Sequence, residues 1–219
     1  MQDNLWDIAG TSLSKQVGGC TVHNAMVWIR PTADDINSWN VTGWSFNDLL
    51  PYMKKSENSL GNSPKDPNLH GFNGPIGISD ESNSEKSQYD GDFLQSCLNM
   101  GYQRNYDFNG QTREGCGYFP HSVKNGVRES AATGYIAPIL NKRNFKLFTQ
   151  STVTKILIEI TRKDGPVAKG VEYVDVRGIK RTVYAKKEVI LAAGTFSFIS
   201  NALPEMFLFE LFNNILSLI

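Results

Sequence analysis

The sequence predicts a mixed α/β protein in which an antiparallel β-meander leads back into a buried parallel strand of a doubly wound sheet. Three observations predict it. Apolar residues fall at helical spacing in 45–58 and 88–101. β-Branched residues crowd 146–185 between the turn signals KDGP and RGIK. Residues 188–194, EVILAAG, form a continuous apolar run ending in glycine, the pattern of a strand covered on both faces.

In chain order, residues 21–30 read as a short helix leaving Gly18–Gly19, with Ala25, Met26 and Trp28 as its apolar members and Pro31 as its stop. SFNDLLPYMKKSEN, 45–58, has Ser45 as N-cap candidate, Phe46, Leu49, Leu50 and Met53 on one face, and Pro51 as a source of a kink. Residues 59–87 are rich in Gly, Pro, Asn and Ser and read as a long surface excursion. Residues 88–101 form an amphipathic helix closed by Gly101. A polar, glycine-rich passage runs to about 128, and SAATGYIAPIL, 130–140, is a second short helix capped by Ser130 and ended at Pro138. The meander follows as KLFTQSTVTKILIEI, AKGVEYVDV and RTVYA, and then EVILAAG. In a doubly wound fold, nucleotides bind at the carboxyl ends of such strands.

The chain has 219 residues, enough for one large domain or two small ones, and its 22 basic and 22 acidic residues cancel. No net field draws nucleic acid or an anionic membrane. Cys20, Cys97 and Cys116 are odd in number and lack CxxC spacing, which points to neither a disulfide framework nor a zinc site. MQDNLWDIAG at the amino terminus shows no signal-peptide pattern, and the apolar last 13 residues are too short to span a bilayer.

Among chemistry-bearing stretches, KQVGGCTVHNAMVWIRP, 15–31, stands out. Spacing leaves two readings open: a turn into a helix with His23 as a partly buried polar residue, or a helix N-terminus offering N–H groups to a phosphate or ring carbonyl, with His23 and Asn24 facing the ligand. His70 and His121 are the other histidines, and neither has a Cys or His at metal-ligand spacing. Both fall in loop segments with nothing in the sequence to fix them. No G-x-S-x-G elbow and no P-loop is present.

This stretch resembles the first signature region of the glucose-methanol-choline family of FAD-dependent oxidoreductases. Lys15, Val17, Gly18, Gly19, Asn24, Trp28 and Pro31 match the family's pattern, whereas Cys20 and His23 stand where small and aliphatic residues are usual. GGC-x-x-HN is similar to choline oxidase and some sugar dehydrogenases of the family, in which that histidine is joined to the flavin's 8α carbon. LHGFNGPIGIS, FLQSCLNMGY, YDFNGQTREGCGYF, NGVRESAATGYIAPIL and KEVILAAGTF resemble later family blocks in the same order.

The resemblance implies FAD as cofactor, joined covalently through His23 as in those members, with Gly18, Gly19, Cys20 and Asn24 at the flavin and Val153, Ala193 and Gly194 at the nucleotide. It implies alcohol oxidation by hydride transfer from a CH–OH group of a small-molecule substrate, with no nucleic acid and no membrane span. The family's G-x-G-x-x-G loop and its carboxyl-end catalytic histidine have no counterpart here, so the expectation is an incomplete FAD-binding sheet with part of a substrate domain, and no turnover by this chain. The implied division is 1–58 as FAD-binding segment with the attachment region, 59–145 as substrate-domain portion, 146–197 as the meander returning to the FAD-binding sheet, and 198–219 as an apolar tail foreign to the family. The competing expectation is a noncatalytic relic or interaction module that binds no flavin; a yellow protein separates the two.

Overall fold

The computed structural model describes residues 14–80, 87–161 and 165–194. The chain divides after Lys146 into two units, Met1–Lys146 and Leu147–Ile219.

Three helices of the first unit start from the same device. Thr32 caps α1 (Ala33–Asn37), Ser45 caps α2 (Phe46–Ser56) and Ser87 caps α3 (Gln88–Asn99); in each, the hydroxyl accepts from the backbone N–H three residues on while the Asp at that position accepts from the cap's own N–H. This reciprocal box satisfies two otherwise orphaned donors. Pro51 lies inside α2, and Gly101, at φ 92°, ends α3 as its sequence predicts.

Residues 21–30 do not form the expected helix. A 3₁₀ turn, Gly19–Val22, is followed by irregular chain in which Met26 sits at φ 63°. Asn24 Oδ1 accepts from the N–H of Met26 at 3.0 Å, a local bond that competes with a helix. The next residues are instead held laterally: Trp28 N donates to Pro120 O and Ser122 N to Met26 O, both at 2.8 Å.

The stretch 59–87 is likewise not a surface excursion throughout. β1 (Glu57–Ser59) runs directly out of α2 and pairs in parallel with β2 (Ile76–Ile78), whose three residues are buried. The glycines of LHGFNGP make this possible. A Cβ at Gly71 would overlap the Lys54 carbonyl, and one at Gly74 the backbone of Ser56 and Glu57. They are spent on close backbone approach and not on flexibility. His121 exchanges both backbone hydrogen bonds with Ser79 at 2.9 Å, so 120–122 joins β2 to the 26–28 segment.

β3 (Val123–Lys124) and β4 (Val127–Arg128) form a hairpin across Asn125–Gly126, both at positive φ, as a type I′ turn demands. Ser130 then caps the SAATGY segment: its Oγ accepts from Thr133 N at 3.2 Å and Thr133 Oγ1 accepts from Ser130 N at 2.8 Å. The segment winds as a π-helical turn, Ala132–Ile136, and a 3₁₀ turn, Ala137–Ile139. Ile36, Ile76, Ile78 and Phe108 are the buried apolar core of this unit.

The second unit is the expected antiparallel meander, in the order β5 (Thr152–Thr161), β6 (Gly165–Val174), β7 (Lys180–Tyr184). Of the KDGP turn, Lys163 and Asp164 lie outside the described residues and Gly165 and Pro166 begin β6. The 175–179 turn is organised by Asp175, whose Oδ1 accepts from the N–H groups of Arg177 at 2.9 Å and Ile179 at 3.0 Å. EVILAAG is not a strand: residues 188–193 are irregular and Ile190 is 78% exposed. A buried strand needs neighbours on both edges for its N–H and C=O groups, and no described strand pairs with this segment. No helix among the described residues is long and apolar enough to cross a membrane.

Candidate functional site

Gly18 and Gly19 both take the left-handed conformation, at φ 96° and 57°, for different reasons. A Cβ on Gly18 would stand 3.0 Å from the Cβ and N of Ala132, so this glycine seats the turn on the SAATGY segment. A Cβ on Gly19 would meet nothing within 4 Å, so there the conformation alone requires glycine. Thr21 Oγ1 accepts from Ala131 N at 3.0 Å, and the Arg128 guanidinium donates to Thr21 O at 3.2 Å and to Asn24 Oδ1 at 2.9 Å. The base of the turn is thus fixed by residues 128–132. Cys20, His23 and Asn24 are all exposed. With Oδ1 engaged by Arg128 and Met26, Asn24 offers a ligand its amide hydrogens.

The far end of the same strap enters a buried ionic cluster. Arg30 pairs with Glu57 and donates to the Leu69 carbonyl; Glu57 is 1% exposed. His70, 3% exposed, sets Nδ1 2.8 Å from Glu57 Oε1 and Nε2 2.8 Å from Asp107 Oδ2. Each ring nitrogen faces a carboxylate oxygen. Asn109 accepts from Arg30 N and donates to Trp28 O, both at 2.8 Å. Burial pushes the Arg30 guanidinium below its ordinary range, and the charge of Asp107 opposes that shift. His70 and His121, expected in loops with nothing to fix them, are therefore both fixed: His70 by two carboxylates, His121 by its backbone bridges. No spacing in the sequence links residues 30, 57, 70 and 107; the bonds of Asn109 to the 28–30 backbone and of Ser59 N to Gly71 O bring their segments together.

Within the second unit, Val153 and Ala193 line one cavity of about 250 Å³ with Lys155, Ile156, Val171 and residues 189–192. Gly194 follows at φ 76° and is not part of that lining. The candidate residues thus form two groups, Gly18–Asn24 in the first unit and Val153 with Ala193 in the second.

The sequence pattern of the GMC oxidoreductases matches residues 9–198, a span that includes both groups. The chain belongs to the GMC oxidoreductase family. It is 33% identical over 184 residues to the oxygen-dependent choline dehydrogenase of Vibrio vulnificus, covering 83% of this chain and 31% of that protein. It is 36% identical over 183 residues to the mitochondrial choline dehydrogenase of Mus musculus, covering 81% of this chain and 28% of the relative. The chain therefore spans about a third of the length of the curated relatives it matches. Among solved structures, an FAD-dependent oxidoreductase from Chaetomium thermophilum superposes with a TM-score of 0.74 at 27% identity, over 84% of this chain and 33% of that one. A formate oxidase superposes with a TM-score of 0.75 at 22% identity, over 88% and 33%. These are flavoproteins with an α/β FAD-binding fold, of which this chain carries a part. In the first unit an exposed imidazole, His23, follows four residues after a left-handed glycine, Gly19, whose Cβ would meet nothing within 4 Å.

Proposed function

We propose that this chain is the flavin-holding portion of an oxidoreductase that acts on the CH–OH group of a small alcohol. The observation that carries the proposal is the family match across 9–198, with the Gly18–Gly19 turn presenting an exposed histidine. When bound, FAD supplies the two-electron chemistry, accepting a hydride from the carbinol carbon. The chain's own residues hold and orient. Gly18 and Gly19 would let backbone lie close to the flavin, with Cys20 next to them, and Asn24 would donate from its amide. His23 supplies the nitrogen nucleophile for covalent attachment, chemistry that needs a neutral imidazole. In the second unit, Val153, Ala193 and Gly194 would be the residues for the nucleotide.

We further propose that the chain by itself turns over no alcohol. A general base must reach the substrate hydroxyl. His70 is enclosed by Glu57 and Asp107, and His121 belongs to the bridge between β2 and the 26–28 segment. Loss of a general base costs on the order of 10²- to 10⁴-fold.

The test is to express the chain with FAD, precipitate it with acid and map the Lys15–Arg30 peptide by mass spectrometry. A flavin adduct on His23, absent in His23→Ala, is expected, with no dye reduction on choline, benzylic alcohols or hexoses. Yellow protein with only unmodified peptide removes the covalent link and leaves the family function standing. Colourless protein in both forms favours the noncatalytic reading, to which the unpaired 188–193 segment already lends weight. Dye reduction that disappears in His23→Ala refutes the inactivity.

A further inference from the structure

The mechanism above leaves two cysteines unused, and the fold brings them together from opposite ends of a loop. Cys97 lies in the last turn of α3; Cys116 lies in the glycine-rich 115–117 stretch. Both are free and half-buried, whereas Cys20 is free and exposed. Residues 102–105 hold them in place. Tyr102 N donates to the Cys97 carbonyl at 3.3 Å, Cys116 N donates to Gln103 O at 2.8 Å, and Asn105 N donates to the Cys116 carbonyl at 2.8 Å. The flanking glycines allow this close approach. Gly115 sits at φ 110°, and a Cβ on Gly117 would overlap the Asn105 carbonyl. The two thiols face each other closely enough to hydrogen-bond, and the Cys116 thiol is pushed up first by that bond to Cys97 and then by burial.

We propose that Cys97 and Cys116 are a redox pair that a small-molecule disulfide, of the glutathione type, converts to an intrachain disulfide. One cysteine thiolate attacks a sulfur of the small disulfide, breaking its S–S bond, releasing one small thiolate and leaving a mixed disulfide on the protein. The second cysteine thiolate attacks the first cysteine's sulfur, forming the protein S–S bond and releasing the other small thiolate. The two protons from the cysteines end on the two released thiols. The protein is oxidised by two electrons and the small disulfide reduced by two. The product staples α3 to the 103–117 loop, next to Asp107 of the ionic cluster.

The test is equilibration of the full chain in buffers of rising oxidised-to-reduced glutathione ratio, followed by alkylation and non-reducing peptide mapping. The expected result is a Cys97–Cys116 crosslink with glutathione, if any, only on Cys20, and a thermal midpoint raised by on the order of 5–10 °C, given the length of the closed loop. In Cys97→Ser, Cys116 then stops at the mixed disulfide. Separate glutathione adducts on Cys97 and Cys116 in the unmutated chain, a crosslink to Cys20, or both thiols unreacted at the oxidising end each overturn the proposal.

Discussion

Replacing Glu57 by Gln tests whether the buried cluster holds the first unit together. Two donors converge on this carboxylate, the Arg30 guanidinium and His70 Nδ1, the latter at 2.8 Å. Gln offers one acceptor oxygen and an NH₂, so at least one donor loses its acceptor, at about 1.5–3 kcal/mol for a bond to a charged group. Arg30, only 7% exposed, also loses the carboxylate it pairs with and keeps only the charge of Asp107. Breaking one partner of a buried pair costs about 3–5 kcal/mol, and this larger effect governs. With a urea slope of about 2 kcal/mol/M, the unfolding midpoint should fall by about 1.5–2.5 M. The assay is urea unfolding followed by tryptophan fluorescence, with Glu159→Gln as control. Glu159 pairs with Lys169 at 3.6 Å in solvent, and its loss should cost less than about 1 kcal/mol. A Glu57→Gln midpoint within about 0.5 M of the unmutated chain would refute the reasoning.

Gly71→Ala forces a methyl into the Lys54 carbonyl and should destabilise by at least about 1–3 kcal/mol, whereas Gly91→Ala, in α3 with nothing within 4 Å, should stabilise by about 0.5–1 kcal/mol. Melting curves that rank the two substitutions the other way would show that the turn after His70 is loosely packed. Asp175 is held at about 2: burial pushes it up, but the Ile179 N–H, the Arg181 guanidinium and the groups of Arg177 outweigh that. A carboxylate depressed on folding stabilises above its unfolded value near 3.8 and loses that contribution as pH falls from about 4 to about 2. Asp175→Asn should lack this acid step in meander stability, measured by circular dichroism against pH; parallel curves for the two proteins would exclude it.

The meander was legible because its information is local. Ile156, Val171 and Val183 lie in register on successive strands, and their β-branched character marks each strand independently. The Ser45 cap and the Gly101 stop were legible for the same reason. Two local signals carried more than the sequence reading drew from them: the Thr32–Asp35 box that starts α1, and Asn125–Gly126, a two-residue hairpin loop. EVILAAG fails in the opposite way, since an apolar run states a preference for burial but not the neighbours that satisfy its backbone. The Arg30–Glu57–His70–Asp107 cluster was illegible because its members come from separate segments joined only by long-range bonds, among them Arg30 N to Asn109 and Ser59 N to Gly71 O. In the candidate site, the turn at Gly18–Gly19 could be read residue by residue, but the engagement of Asn24 by Arg128, 104 positions away, could not.

The strap from Gly18 to Pro31 connects these observations. At its start, Thr21 and Gly18 bind it to the SAATGY segment; in its middle, Met26 and Trp28 bond to 120–122; at its end, Arg30 enters the cluster with Glu57. His23 therefore sits on a short span anchored on both sides, although its own side chain is exposed. A side chain that must form one bond at one ring position gains from such anchoring, because the positioning entropy is lost on folding and not at attachment. The cluster is then more than a stability element: a variant that frees Arg30 from Glu57 loosens one carboxyl-side anchor of the residue proposed to carry the flavin, the Met26 and Trp28 bonds to 120–122 being the nearer ones. Glu57→Gln should accordingly lower the fraction of covalently attached flavin even under conditions where the first unit stays folded. Arg128→Ala, which removes the guanidinium from Thr21 O and Asn24 Oδ1, should do the same from the opposite anchor.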